Sequence, residues 1–152
     1  MKRNCFIFDL DGTICDVRHR LHYITTHPQN WDAWNKGLIY DTPNLAVECI
    51  YKSLFATKSV MGVELFFVTG RSNDYRELTT EWLKTFGFEW DALYMRKHRD
   101  NRDDTIVKDE IAAEIEKTHN ILGVFDDRKK VVDMWIKRGV WVFDVGQGQA
   151  TF

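Results

Sequence analysis

The chain has 152 residues, 44% of them apolar, which is enough to bury one core of ordinary size and too little for two independent domains. Its 21 lysines and arginines against 23 aspartates and glutamates leave a formal net charge of −2, so no overall basic field draws it to nucleic acid and any polynucleotide contact has to be local. Cys5, Cys15 and Cys49 include no C-x-x-C pair, which argues against a disulfide framework or a zinc ribbon and fits a reducing cytoplasm, and no targeting segment or membrane-length apolar stretch is expected.

Along the chain, short apolar runs alternate with helical periodicity, the pattern of parallel strands joined by crossover helices. The first candidate strand, Cys5–Leu10, runs into Asp9-Leu10-Asp11-Gly12-Thr13. Residues 14–42 follow as the least regular stretch, too long for a turn and too short for a domain. Their Tyr23, Trp31, Trp34 and Tyr40 suit a small cap or lid over a site, a satellite core under a long loop, or both. His19 and His22 have metal-ligand spacing but no third soft ligand, so surface histidines are the expected reading.

Val47, Ile50, Tyr51 and Leu54 recur at i, i+3, i+4, i+7 and predict a helix before the strand Glu64–Thr69, which leads into Thr69-Gly70-Arg71. Tyr75, Leu78, Thr79, Trp82, Leu83 and Phe86 predict a second helix, ending near Gly87, and Ala92–Met95 the next strand. The basic run Arg96-Lys97-His98-Arg99 can follow a nucleic-acid backbone or pair internally with Asp100, Asp103 and Asp104. Val107, Ile111 and Ile115 mark a helix carrying Lys108; Ile121–Phe125 is a strand that delivers Asp126-Asp127-Arg128; Val131, Val132, Trp135 and Ile136 mark a last helix, ending near Gly139, before the strand Val140–Val145.

Ligands of open parallel sheets bind beyond the carboxyl ends of the strands, which is where this chain places its acids. Asp9 and Asp11, two residues apart on extended chain, point to one side and repel unless a cation or different protonation states separate them. With Asp126 and Asp127 they form a set of hard oxygen donors suited to Mg²⁺. Thr69, Gly70 and Arg71 bring a hydroxyl, a tight turn and a guanidinium to the same edge, all phosphate-binding features, and Lys108 is placed to neutralise a phosphoryl group beside Asp9.

These four clusters, in this order and approximate spacing, resemble the motifs of haloacid dehalogenase superfamily phosphatases. From Cys5 to about Val145 the chain is more closely similar to the 3′-phosphatase domain of phage-type polynucleotide kinase/phosphatases, including Arg102-Asp103-Asp104-Thr105-Ile106-Val107-Lys108 and Phe125-Asp126-Asp127-Arg128. The resemblance implies a three-layer α/β fold with a doubly wound, mainly parallel sheet, one domain over residues 1–152 with 14–42 as its cap. It implies Asp9 as nucleophile, Asp11 as general acid/base, Thr69 and Lys108 as phosphate ligands, and Asp126 with Asp127 at a magnesium site. Substrate or phosphate contacts follow for Arg71, and roles near the site for Asp104 and for Arg20, with Arg18 an equally near candidate. No G-x-x-x-x-G-K-[ST] occurs, so ATP-dependent phosphorylation is not expected.

The expected activity is a Mg²⁺-dependent phosphomonoesterase acting on 3′-phosphates of nucleic-acid ends. Its rivals are a 5′-nucleotidase or general small-phosphomonoester phosphatase, for which Trp31, Trp34 and Tyr23 can equally stack a free nucleotide, and a catalytically idle binding module. No membrane partner is expected, and the sequence sets no oligomeric state.

Overall fold

The computed structural model describes residues 1–147, so the end of the expected 1–152 unit lies outside the described residues. In chain order the elements are strand β1 (Arg3–Phe8), β2 (Cys15–Asp16), helix α1 (His22–Thr25), α2 (Trp31–Lys36), β3 (Thr42–Pro43), α3 (Leu45–Met61), β4 (Val63–Ser72), α4 (Arg76–Thr85), β5 (Ala92–Arg96), α5 (Asp104–Glu116), β6 (His119–Asp126), α6 (Lys129–Lys137) and β7 (Val142–Asp144). Five strands form one parallel sheet in the order β5-β4-β1-β6-β7. The chain builds outward from β1 to β5, then returns to the other side of β1 for β6, so strand order reverses beside β1. That reversal opens a crevice at the carboxyl ends of β1 and β6.

Alternation along the strands sorts the core into two layers. Phe6 and Phe8 of β1 and Leu65 and Phe67 of β4 face α3 and α4, where Val47, Tyr51, Trp82 and Leu83 are buried. Cys5, Ile7, Phe66 and Val68 face the opposite way, against Ala112 and Ile115 of α5 and Val131 and Trp135 of α6. Helices on both faces of a parallel sheet make the doubly wound α/β architecture that the sequence implied. Two positions of the expected stripes fall outside the core: Ile50 is 45% exposed and Ile136 58%. The inward turn of α3 is carried by Val47, Tyr51, Leu54 and Phe55 instead. Among the described residues no helix is long and apolar enough to cross a membrane.

Two departures from regular strand place chemistry. β1 stops at Phe8, short of the expected Leu10: the Asp9 amide still donates to the Phe125 carbonyl at 2.9 Å, but the amides of Gly12 and Cys15 close a turn onto Cys15 and Leu10. β4 runs past Thr69 to Ser72, and its pairing with β5 breaks register between those two residues, bending Gly70 and Arg71 out of the ladder. Residues 14–42, expected to be the least regular, leave the sheet at β2 and return at β3, which pair antiparallel and close the base of the excursion. Between them Trp34 and Leu38 are buried in the main core, Tyr23 is half-buried against it, and Trp31 and Tyr40 are exposed.

Tyr51 is the centre of the first core layer. Its ring stacks on Phe67 at 4.7 Å and meets Phe8 edge-on at 4.9 Å, while its hydroxyl donates to the Glu89 carbonyl at 2.7 Å. Urea denaturation is expected to show a loss of about 3–5 kcal/mol for Tyr51→Ala, but only about 1 kcal/mol for Tyr51→Phe, which keeps the ring and removes one hydrogen bond.

Candidate active site

β1 and β6 lie in register, Ile7 beside Val124 and Phe8 beside Phe125, so the residues that follow come out side by side. Carboxylate oxygens of Asp9, Asp126 and Asp127 lie within 4.8 Å of one another, and all three residues are buried. Lys108, 1% exposed on α5, reaches between them, its ammonium donating to Asp9 Oδ1 at 2.9 Å and Asp126 Oδ2 at 2.8 Å. The Thr13 hydroxyl donates to Asp9 Oδ2 at 3.2 Å.

Three carboxylates around one lysine leave an excess of negative charge in a site with little water. Burial, then the charge of Asp126, pushes the Asp9 carboxyl well above its ordinary value, and the same two causes push Asp127 up to about 7. Burial pulls Lys108 down, but the charges of Asp126, Asp9 and Asp104 overcome it and keep the ammonium protonated. Asp127 Oδ1 is buried without a donor. An orphaned oxygen within a cluster of hard donors fits a magnesium ion, which takes a few carboxylates and retains water.

Two glycines make room for this packing. At Gly12, φ +83°, a Cβ would lie 2.1 Å from Asp127 Oδ2, and at Gly70 a Cβ would lie 2.1 Å from Asp104 Oδ1. Each expected turn glycine therefore also lets backbone approach a carboxylate.

Asp11 belongs to a separate group. The structure gathers Asp9, Asp126 and Asp127 and turns the Asp11 side chain instead toward two arginines. Arg71 Nη2 and Arg20 Nη2 each donate to Asp11 Oδ1 at 2.6 Å. Burial raises the Asp11 carboxyl, but the charges and hydrogen bonds of Arg71 and Arg20 win and hold it well below the usual carboxylate range. Arg20 is buried and its guanidinium lies 4.0 Å over the Trp34 ring, whereas Arg18 is exposed and pairs with its neighbour Asp16; of the two sequence candidates, only Arg20 reaches the site.

Asp41 was not legible in the sequence. It is fully buried at the foot of β3, accepting from Arg20 Nε at 2.7 Å and Nη2 at 2.6 Å, with Arg71 Nη2 at 3.5 Å, while its carbonyl accepts from the Trp82 indole at 2.9 Å. The available signal was charge balance: two arginines brought to Asp11 need a second anion, and 14–42 offers Asp16, Asp32 and Asp41 without indicating which turns inward. His19 Nε2 lies 2.7 Å from Asp41 Oδ1, and the His22 ring packs 4.0 Å from Tyr23, so the two histidines share no ligand site.

The expected basic run divides in two. Arg96 is an internal tie: its Nε donates to the Gly70 carbonyl at 2.8 Å, its Nη1 to the carbonyls of Asp100 and Arg102, and its Nη2 to Asp104 Oδ1 at 3.3 Å. Asp104, buried at the start of α5, also accepts from Arg128 at 3.2 Å and lies 3.9 Å from Lys108. His98 pairs with Asp74. Lys97 and Arg99 are exposed and their side chains make no hydrogen bond or ion pair among the described residues, although the Lys97 carbonyl accepts from the Asp100 amide at 3.1 Å, and Arg99 has the left-handed φ of 60°. Thr69 is fully buried, its Oγ accepting from the Arg71 amide at 3.2 Å. Asp9 and Asp11 open into a groove of about 1190 Å³ whose lining also includes Ile24, Trp31, Asn35, Lys97, Arg99 and Lys130.

Residues 3–150 match the family described as the polynucleotide kinase PNKP phosphatase domain. Among solved structures, two of a Pnkp1/Rnl/Hen1 complex, one described as an RNA repair complex, each align with 94% of this chain at 30% identity and a TM-score of 0.76. The chain spans 42% and 46% of the chains it matches there. A protein described as a beta-phosphoglucomutase of Thermotoga maritima shares the fold, with a TM-score of 0.55 at 11% identity over 93% of this chain and 84% of that one.

The acid cluster makes stability depend on pH in a definite direction. Because Asp9 and Asp127 bind protons more tightly folded than unfolded, their contribution is fully present below about pH 4 and is lost as pH rises through their raised folded values, about 7 for Asp127. In divalent-free buffer the melting temperature should fall from pH 5 to pH 8, and Mg²⁺ should restore more of it at pH 8 than at pH 5. Equal Mg²⁺ stabilisation at both pH values would remove these acids as the cation site. Asp41→Ala leaves two buried guanidinium groups short of an anion and is expected to cost about 3–5 kcal/mol in urea denaturation.

Proposed function

Because the chain belongs to the polynucleotide kinase PNKP phosphatase-domain family, of haloacid dehalogenase type, we propose that it is a Mg²⁺-dependent enzyme that removes 3′-phosphates from nucleic-acid ends through an aspartyl-phosphate on Asp9. The family membership makes it a phosphoric monoester hydrolase. The observation that carries the polynucleotide reading is the open groove at Asp9, whose lining includes exposed cations and an exposed tryptophan. Affiliation with proteins of an RNA repair complex supports the same substrate class, and three free cysteines fit work in the cytoplasm.

In the proposed cycle Asp9 attacks phosphorus, the bond from phosphorus to the sugar 3′ oxygen breaks, and Asp11 protonates the departing alkoxide. Water, deprotonated by Asp11, then cleaves the aspartyl-phosphate and frees Asp9. Lys108 and the Thr69 hydroxyl hold phosphoryl oxygens, and Asp104 fixes Lys108 and Gly70 around them. Asp9, Asp126 and Asp127 would hold magnesium, whose charge would offset that of the phosphoryl oxygens and favour the ionised carboxylates.

The resting geometry suits the second half of this cycle better than the first. Asp11, ionised between two arginines, is ready to take a proton from water, but to give one it has to lose part of that grip. A phosphate dianion entering beside Arg71 and Arg20 is the ligand that draws them off, since guanidinium groups bind it in the same forked manner.

The reading is tested by comparing kcat/KM for a 3′-phosphorylated oligonucleotide with that for free 3′- and 5′-mononucleotides, where an oligonucleotide advantage of at least about tenfold is expected. Equal use of free nucleotides would move the assignment to a nucleotidase, and no turnover of any phosphate ester with Mg²⁺ to a binding module. Asp9→Asn should abolish turnover. Asp11→Asn should lose far more activity on alkyl than on activated aryl phosphates, since an aryloxide departs without a proton; similar losses on both would count against its acid role. The Lys97→Ala/Arg99→Ala double variant should raise KM for the oligonucleotide and flatten its salt dependence. Arg96 is left out of that pair because its guanidinium is consumed by the 96–104 turn.

A further inference from the structure

Trp31 is 52% exposed and lines the groove that opens at Asp9 and Asp11. It begins α2, whose start is fixed by Asn30: the Asn30 carboxamide oxygen accepts from the Ala33 amide at 3.0 Å. Three residues on, Trp34 is buried under the Arg20 guanidinium at 4.0 Å, and its carbonyl accepts from Arg20 Nη1 at 3.0 Å. The same Arg20 donates to Asp11. The short helix is thus anchored to the catalytic network at Trp34, and Trp31 stands roughly 4.5 Å farther along its axis, on the wall of the groove. Lys97 and Arg99 line the same groove.

The other aromatic candidates are spent. Trp34 lies under Arg20, Tyr75 lines the groove but is half-buried against the main core, Tyr23 is half-buried with its ring against His22, and Tyr40, although exposed, does not line the groove. An exposed aromatic face that shares one groove with two exposed cations is a surface for a single strand, the bases stacking on the ring and the phosphodiesters held by the cations. We propose that Trp31 is the stacking platform for the base of the nucleotide preceding the 3′-terminal one, and that this contact sets the preference for an oligonucleotide over a free nucleotide. It rests on the polynucleotide-end reading above. A mononucleotide has no such base to offer, so the contact acts only on a strand.

The test uses the whole chain with Mg²⁺ and a set of short single-stranded oligonucleotides bearing a 3′-phosphate, each with one abasic position in the last four. For the natural chain, kcat/KM should fall about tenfold or more when the penultimate base is missing and much less when the others are. Trp31→Leu, which keeps an apolar side chain without a π face, should show the same loss on the intact oligonucleotide and no further loss at the penultimate abasic site, while Trp31→Phe should keep most of the sensitivity. Melting temperatures of the variants separate unfolding from lost stacking. If the natural chain prefers the oligonucleotide but Trp31→Leu matches it at every position, the platform is overturned and the polynucleotide reading stands. If the natural chain has no preference for an oligonucleotide over a mononucleotide, the polynucleotide reading itself falls, and the platform with it.

Discussion

The ammonium group of Lys108, buried between Asp9 and Asp126, ties together three elements that the chain brings in from distant positions: the end of β1, the end of β6 and the first turns of α5. Without it two carboxylates would meet at the centre of the sheet edge in a region that excludes water. With it they meet, but a third, Asp127, leaves the site one cation short. Much of the local architecture follows from that excess charge. Gly12 lets the backbone approach Asp127, Asp104 braces Lys108 from one helical turn away, and the cluster is left with an orphaned oxygen that suits a hard cation.

Beside that cluster the charges are balanced instead. Arg20 and Arg71 converge on Asp11, and Asp41 supplies the second anion that makes two buried guanidinium groups tolerable. Two carboxylates that are near neighbours in sequence thus sit in opposite fields, Asp9 raised by burial and by other acids, Asp11 lowered by arginines. Separated environments of this kind let a pair of aspartates divide nucleophilic and proton-transfer work. The second network also joins the 14–42 excursion to the site, since Arg20, Trp34 and Asp41 all belong to it.

The basic turn after β5 shows how like residues acquire unlike duties. Arg96 and Arg99 are three positions apart in one charged run, yet Arg96 is drawn inward by carbonyls and by Asp104, whereas Arg99 stands at a left-handed apex in solvent. The same division separates Trp34 from Trp31 on α2, one buried under a guanidinium and the other open to the groove. In both cases the inward residue fixes the geometry and the outward one faces solvent.

The sequence by itself determined the sheet, most of its strands and helices, and the four clusters at its carboxyl edge. Period-two and period-3.6 apolar patterns are local signals, and a parallel sheet has a single edge to which acids at strand ends can be delivered. Local pattern could not say which way a charged side chain turns. Whether Arg18 or Arg20 entered the site, that Asp41 stood beneath it, that Arg96 was a tie and Arg99 free, and that Asp11 faced arginines while Asp9 faced acids were decided only by tertiary structure. Those choices depend on which partners lie within a few ångströms after residues as far apart as Asp9 and Lys108 have been brought together, and Coulomb and desolvation terms at that range are set by three-dimensional neighbours rather than by spacing along the chain.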